Sequence, residues 1–187
     1  EAHKRGLKIH CWFESFYIGN VNPSYDDKSI LSKYPLWGNK NLANYDYPSY
    51  VRHKAEHNGF FLDPANPEVT AFLVELLNEI PRLYDIDGIN IDYTRYPTSQ
   101  RSDVKNFQQS HWGYTAIARK EFKDLYEIDP VEIEPDTVLS KKWGEYRRDK
   151  IYAYVKEARN SLSITTQGRK FVLSAVIFPD YNVCLET

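Results

Sequence analysis

Apolar and polar residues alternate with a period of two in two short segments, residues 7–14 and 88–92, and this pattern predicts β-strands. The first segment carries Leu7, Ile9, Cys11 and Phe13 on one face and Lys8, His10, Trp12 and Glu14 on the other. In the second segment, Asn90 and Asp92 face away from the two isoleucines beside them. A partly exposed antiparallel strand would show the same alternation, so the pattern alone leaves strand direction open.

A long amphipathic helix is predicted to begin at residue 67 and to lead into the second strand. Asn66, Pro67 and Glu68 supply an N-cap, a proline at the first helical position and an acidic first turn. The apolar residues that follow have helical spacing: Val69, Phe72, Leu73, Leu76, Leu77, Ile80 and Leu83. Pro81 is expected to kink or tighten the last turn.

Two further helices and a third strand are predicted in the second half of the chain. Helical spacing covers residues 115–127, with Ala118, Phe122, Leu125 and Tyr126 inward. It also covers residues 143–162, with Trp143, Ile151, Tyr154, Val155, Ala158 and Leu162 inward. The nearly continuous apolar run over residues 171–178 predicts a strand buried on both faces of a parallel sheet.

The connections between the predicted strands and helices differ in length according to which element comes first. Long polar segments, residues 15–65 and 98–109, follow predicted strands, whereas the returns from helix to strand are short. Alternating strands and helices indicate a parallel sheet, and long loops at the carboxyl ends of the strands are typical of a (β/α)8 barrel. Three strands cannot close a barrel. We therefore interpret residues 1–187 as one segment of a TIM-type barrel domain, truncated at both ends.

Composition narrows the choice of partner. The formal net charge is −2 with interspersed basic residues, which favours neither nucleic acid nor an anionic membrane as partner. No apolar run approaches the length of a membrane span. Aromatic residues make up 15% of the chain, including 15 Tyr and 4 Trp, and flat amphipathic rings are typical of sugar-binding clefts.

Neither a metal nor a cofactor is predicted. The two cysteines, Cys11 and Cys184, have no metal-site spacing, although a disulfide between them stays open. His53 to His57 matches H-x-x-E-H, but Asn58-Gly59 interrupts the helix that a zinc site would need. None of the eight glycines forms a nucleotide-binding G-x-G-x-x-G or P-loop motif, which disfavours a nucleotide-dependent enzyme.

The strongest candidate for chemistry is Asp92, the last residue of the second strand. Ligands of parallel α/β proteins bind beyond the carboxyl ends of the strands. An aspartate in this position often closes a turn or caps a helix instead, but the next predicted helix begins too late for Asp92 to cap it. His10, on the first strand, fits a cleft or a satisfied core histidine about equally well.

Five segments resemble the glycosyl-hydrolase-like family ten proteins, bacterial (β/α)8-barrel proteins linked to cell-wall glycans. They follow the family order along the chain: Gly6–Trp12, Phe61–Val69, Tyr84–Pro97, Trp143 with Tyr146-Arg147-Arg148, and Ser174–Asp180. The resemblance implies a slice of the barrel, about strands three to five of eight. It also implies an extracytoplasmic protein. Some members carry two adjacent aspartates where this chain has Asp92-Tyr93, so only the role of the first is carried over.

The resemblance implies glycoside hydrolysis of a bacterial or related polysaccharide, such as peptidoglycan glycan strands, by a pair of carboxyl groups. We expect Asp92 to act as nucleophile or charge stabiliser, held ionised by Arg95. Glu14 is the leading candidate for the acid, followed by Asp180 and Glu186. The expected substrate-binding residues are His10, Trp12, Asn90, Arg95, Tyr96 and Trp112. The alternative is a non-catalytic glycan-binding protein on the same fold.

Overall fold

In the part of the chain that the structure describes, the sheet consists of three parallel strands, β1 (His10–Glu14), β2 (Gly88–Asp92) and β3 (Val172–Ala175), in the spatial order β1-β2-β3. The computed structural model describes residues 1–19, 27–44, 59–97, 111–162, 168 and 170–179. Within these residues the predicted parallel α/β architecture is confirmed, and it is consistent with a partial (β/α) unit. The strand direction that the alternation left open is therefore decided.

The register places equivalent positions of the strands side by side. His10 pairs with Gly88 and Glu14 with Asp92, and β3 continues the rows, with Ser174 opposite Asn90. Paired residues of neighbouring strands point to the same side of a sheet. One face is therefore apolar and carries Ile89 and Ile91, which are fully buried. The opposite face, called the open face below, carries His10, Trp12 and Glu14 from β1 and Asn90 and Asp92 from β2.

Four α-helices lie in the described residues: α1 (Ile30–Lys33), α2 (Pro67–Leu83), α3 (Ala116–Tyr126) and α4 (Val138–Ser161). Local capping explains where the longer ones begin. The Asn66 side chain accepts a hydrogen bond from the Glu68 N–H at 2.9 Å, and Thr115 caps α3 in the same way. Thr137 caps α4, which begins at Val138 instead of the predicted Trp143 because this cap precedes the apolar stripe.

The main core lies between the apolar face of the sheet and the packed pair α2 and α4. Leu73 and Leu77 of α2 and Tyr154 and Ala158 of α4 are buried there, as the helical spacing predicted. A second cluster joins α3 to the first half of α4 through Phe122, Trp143 and Tyr146. Burying a large apolar side chain stabilises a fold by roughly 1.5–3 kcal/mol, so these helices are held mainly by packing.

Several sequence predictions fail at the edges of these elements. Leu83, Leu125 and Tyr126 were expected inward but are exposed, since each lies at a helix end beyond the packed turns. The prediction that the third strand is buried on both faces is wrong. Val172 and Val176 are exposed and Ile177 is 76% exposed, because β3 lies at the edge of the described sheet and, within the described residues, pairs with β2 alone. The first strand begins at His10, not at residue 7.

Some predictions concern residues outside the described ranges. They are the polar segment 98–109, the H-x-x-E-H motif at 53–57, the possible disulfide partner Cys184, and the carboxylates of Asp180 and Glu186. Cys11 is a free, half-buried thiol on β1. In the part of the chain that the structure describes, no helix combines the length and apolar character that a membrane crossing requires.

Candidate functional site

Asp92 occupies the carboxyl end of β2, where both of its carboxylate oxygens accept hydrogen bonds. Oδ1 accepts from the Tyr93 backbone N–H at 2.7 Å, and Oδ2 accepts from the Trp12 indole Nε1 at 3.1 Å. The donor on Trp12 comes from the neighbouring strand β1. These two hydrogen bonds hold the carboxylate in a defined orientation. Because the Asp92 side chain is only half-buried, it remains accessible to solvent on the open face.

Glu14 is the cross-strand neighbour of Asp92. The two residues are Cα partners in the parallel ladder between β1 and β2 and point to the same side of the sheet. Neighbouring strands lie about 4.8 Å apart. Glu14 is exposed, and among the described residues its carboxylate makes no hydrogen bond or ion pair. Folding therefore places side by side two carboxylate residues that are far apart in the sequence.

The backbone that follows Asp92 adopts an uncommon conformation. Tyr93 has φ of 48°, the left-handed region that L-residues rarely occupy, and such a conformation costs of order 1–3 kcal/mol. Pairing with β1 continues through it, because the Ser15 N–H donates to the Asp92 carbonyl at 2.8 Å. The Tyr93 ring packs on Tyr17 with centroids 4.9 Å apart. These contacts hold the strained turn that directs the Asp92 carboxylate.

A cleft of about 460 Å³ opens beside Asp92, between the carboxyl ends of β2 and β3 and the middle of α4. Its wall is largely apolar, with Ile151, Val155 and Ile177 among the lining residues. Two cations, Arg95 and Arg148, also line it. The cleft thus combines a carboxylate, guanidinium groups and apolar surface, a composition common in small-molecule sites.

Arg95, which was expected to hold Asp92 ionised, lies in this cleft between two aromatic rings. Its guanidinium carbon lies 5.2 Å from the centroid of Tyr93 and 5.0 Å from that of Phe178. Its Nη1 donates to the Tyr96 carbonyl at 3.4 Å. The hydrogen-bond donors to the Asp92 carboxylate in the described residues are the Trp12 indole and the Tyr93 N–H. Arg95 lines the cleft beside Asp92.

Three of the predicted substrate-binding residues lie together on the open face. Trp12 is 65% exposed although its indole N–H is fixed by Asp92, which leaves one broad ring surface accessible. His10 is exposed one pleat further along β1. Asn90 is half-buried, and its Oδ1 has no hydrogen-bond partner among the described residues. Exposed aromatic rings of this kind are groups that bind sugars, whereas the Asn90 Oδ1 atom itself is buried.

Tyr96 and Trp112 are not on a cleft surface. Their exposed fractions are 1% and 3%, so neither ring can stack on a sugar in this arrangement. The Arg147 guanidinium covers the Tyr96 ring at 4.4 Å, and Trp112 pairs through its backbone with Asn41. Their place after a strand predicted that these aromatic residues would form a sugar-binding surface, but both are buried by residues distant in the sequence.

The sequence analysis did not single out Asp63, a fully buried carboxylate in the short segment that precedes helix α2. It accepts hydrogen bonds from the Thr115 hydroxyl at 2.6 Å and the Ala65 N–H at 3.0 Å. Burial raises the pKa of Asp63 to about 6, against the lowering effect of these bonds. The one available signal was its place inside the family-like segment Phe61–Val69, since neither spacing nor composition marks an isolated aspartate as buried.

Arg148 and Phe178 of the cleft were also missed as individual residues. Arg148 lies in the middle of a helix and Phe178 in a continuous apolar run, so local pattern indicates a surface and a core position respectively. For metals, the described residues contain no group of three or more His, Cys, Asp or Glu side chains able to hold an ion. The chemistry that the site offers on its own is that of paired carboxyl groups beside aromatic rings.

Comparison with known proteins gives a family and several relatives. The family model described as glycosyl hydrolase-like 10 matches residues 1–183. Glycosyl hydrolase DigH of Escherichia coli (strain K12) is 30% identical over 119 residues, 58% of this chain and 25% of DigH. Glycosyl hydrolase YngK of Bacillus subtilis (strain 168) is 24% identical over 180 residues, 93% of this chain and 28% of YngK.

A third relative differs in its description. An S-layer-related protein of Niallia circulans is 24% identical over 184 residues, which are 94% of this chain and 11% of that protein. The chain thus spans between 11% and 28% of the length of these three relatives.

Proposed function

This chain belongs to the glycosyl hydrolase-like 10 family, and on that premise we propose that it carries the catalytic carboxylates of a glycosidase. The family supports a glycan-related function. More specifically, we propose that the protein hydrolyses O-glycosidic bonds at a site formed by the carboxyl ends of β1 and β2. Asp92 and Glu14 are the proposed catalytic pair, and Asp180 is a further candidate that lies outside the described residues.

The observation that carries the proposal is the in-register pairing of Glu14 with Asp92 on the open face. Strand spacing places the backbones of this pair roughly 5 Å apart, and carboxyl groups at about that separation are typical of retaining glycosidases. Inverting enzymes need about 6.5–9.5 Å to admit a water molecule between the carboxyl groups and the sugar. The register therefore favours retention of configuration.

In the proposed mechanism, an Asp92 oxygen attacks the anomeric carbon while the Glu14 carboxyl gives its proton to the departing glycosidic oxygen. The bond to the leaving group breaks as the bond to Asp92 forms. Glu14 then removes a proton from water, and the hydroxide displaces Asp92 from the sugar. The two hydrogen bonds from Trp12 and the Tyr93 N–H orient the Asp92 carboxylate and stabilise its charge when it departs.

The substrate proposed is a bacterial or related polysaccharide, with peptidoglycan glycan strands as one candidate. Trp12 would stack on a sugar ring, while His10, Asn90 and Arg95 would contact hydroxyl or acidic substituents. We also propose that the protein acts outside the cytoplasm. The name of the S-layer-related relative is compatible with that location.

The proposal is tested by assaying the full-length protein for glycan cleavage, measured as the release of reducing ends. D92N and E14Q should each abolish turnover, whereas D149N, an exposed carboxylate on α4, should leave it unchanged. On an aryl glycoside, whose phenolate leaves without a general acid, azide should restore part of the E14Q rate by attacking the glycosyl intermediate, because azide needs no general base; phenol release measures it, since the glycosyl azide product has no reducing end. Full turnover by D92N would refute the assignment.

The exposed ring of Trp12 also favours a second candidate, a glycan-binding protein without catalysis. A stacking platform binds sugar whether or not the neighbouring carboxylates react. Calorimetric binding of glycan oligomers that W12A loses, with no reducing ends released by the wild type, would establish this alternative.

A further inference from the structure

Three buried polar groups without a partner surround Gly113, away from the catalytic pair. They are Asn39 Nδ2, the Tyr96 hydroxyl and Arg147 Nε, none of which has a hydrogen-bond partner in the described part of the chain. Asn39 and Tyr96 are each only 1% exposed. Buried polar atoms are paired in the great majority of cases, so three orphans in one place require an explanation.

Gly113 connects the three groups. Its N–H donates to Asn39 Oδ1 at 3.0 Å, which places the Asn39 amide against it. Its φ of 100° requires glycine. A Cβ built there would lie 2.9 Å from Tyr96 Cε1 and 3.3 Å from Arg147 Nε, so both side chains also touch this residue. The free groups therefore border one small region, which we call the Gly113 pocket.

The Gly113 pocket is rich in donors and contains one cation, the Arg147 guanidinium. Asn39 Nδ2 and Arg147 Nε can only donate, and the tyrosine hydroxyl can donate as well. Arg147 stacks on the Tyr96 ring at 4.4 Å and forms no ion pair among the described residues. Burial lowers the pKa of the Arg147 guanidinium, and the neighbouring Arg148 opposes its charge further. A desolvated cation without a counter-charge is costly.

We propose that the Gly113 pocket binds a small monovalent anion, such as a halide, that accepts hydrogen bonds from Asn39, Tyr96 and Arg147. A water molecule would satisfy the donors but would leave the guanidinium charge uncompensated. An anion does both. Asn39 belongs to the loop before α2, Tyr96 follows β2 and Arg147 lies on α4, so the anion would tie together three separate segments of the chain.

Thermal unfolding in chloride and gluconate at one ionic strength tests the proposal, because gluconate is too bulky for the pocket. Replacing gluconate by chloride should stabilise the wild type in a saturable way. At about ten times the dissociation constant, the folding equilibrium constant should rise about 11-fold. No chloride-specific stabilisation of the wild type would overturn the proposal.

Three variants locate the effect. R147Q removes the charge and N39D supplies a carboxylate that still accepts from the Gly113 N–H, so both should lose the chloride response. N39D should be at least as stable as R147Q, since it keeps the guanidinium neutralised. R148Q, on the next residue of the same helix, should keep the full response. Loss of the response in R148Q alone would place the anion in the cleft and overturn the proposal.

Crystals grown in sodium bromide give a readout that does not depend on a variant folding. An anomalous bromide peak within hydrogen-bond distance of Arg147 Nε and Asn39 Nδ2 is the expected result. A peak without anomalous signal at that position would identify a water molecule and refute the anion.

Discussion

Asp92 and Asp63 are two aspartates with the same number of hydrogen-bond donors and opposite surroundings. Each accepts one backbone N–H and one side-chain donor: Tyr93 and Trp12 for Asp92, Ala65 and Thr115 for Asp63. Asp63 is fully buried, and its pKa rises to about 6 because desolvation outweighs its hydrogen bonds. Asp92 is half-buried on the open face. Burial, not hydrogen bonding, therefore separates a structural carboxylate from an available one.

The largest effect expected from this contrast is on catalysis. D92N should reduce kcat/KM for glycan cleavage on the order of 10⁴-fold, the scale seen when one carboxylate of a catalytic unit is removed. Its unfolding midpoint should remain close to that of the wild type, because Asn still accepts from the Tyr93 N–H. D63N should keep the activity, because Asp63 is fully buried. Equal activity losses in both variants would break the comparison.

The pH dependence of stability separates the two aspartates next. A pKa raised from 3.8 to about 6 means that Asp63 stabilises the fold below about pH 4, and that this contribution is lost as the pH rises through 6. The unfolding free energy of the wild type relative to D63N should therefore fall by roughly 2–2.5 kcal/mol between pH 4 and pH 7. Urea unfolding at several pH values measures it, and a difference independent of pH would contradict the raised pKa.

Substituting the two helix-capping threonines, Thr115 and Thr137, measures how much the Thr115–Asp63 hydrogen bond contributes to the free energy of unfolding. T115V removes both the N-cap of α3 and the hydroxyl donor to Asp63 and should cost about 2–3 kcal/mol of unfolding free energy. T137V is a matched control, since Thr137 caps α4 without a buried carboxylate and should cost about 1 kcal/mol. Denaturant unfolding of both variants gives the difference. Equal costs would show that the Asp63–Thr115 bond contributes no net stability.

The smallest effect concerns the side-chain donor to Asp92. W12F keeps an aromatic ring but removes the indole N–H, so kcat/KM should fall about tenfold, the scale of one hydrogen bond to a charged group. W12A, which also removes the stacking surface, should raise KM in addition. Steady-state kinetics on glycan oligomers distinguishes the two, and an unchanged kcat/KM in W12F would remove Trp12 from the catalytic site.

Prediction from sequence succeeded where the cause was local. The Asn66 cap acts within two residues, and helix α2 begins at Pro67 as it predicted. Helix α3 begins at Ala116, within one residue of the start that the helical spacing predicted. Prediction failed for Leu125 and Ile177, which have the right hydrophobicity but lie where no described partner packs against them. Tyr96 failed in the opposite direction, because an aromatic residue next to an arginine and a proline gives no sign that Arg147 will cover it.

The sequence by itself determined the elements and their faces: the alternation around Ile89 and Ile91, the helix starts, and a carboxylate at the end of two strands. These depend on dihedral preferences and on the period of each element, which neighbouring residues set. Only the tertiary structure decided that Glu14 lies beside Asp92, that Trp12 donates to Asp92, and that Asp63 is buried. Those depend on register and desolvation, which arise when distant segments pack.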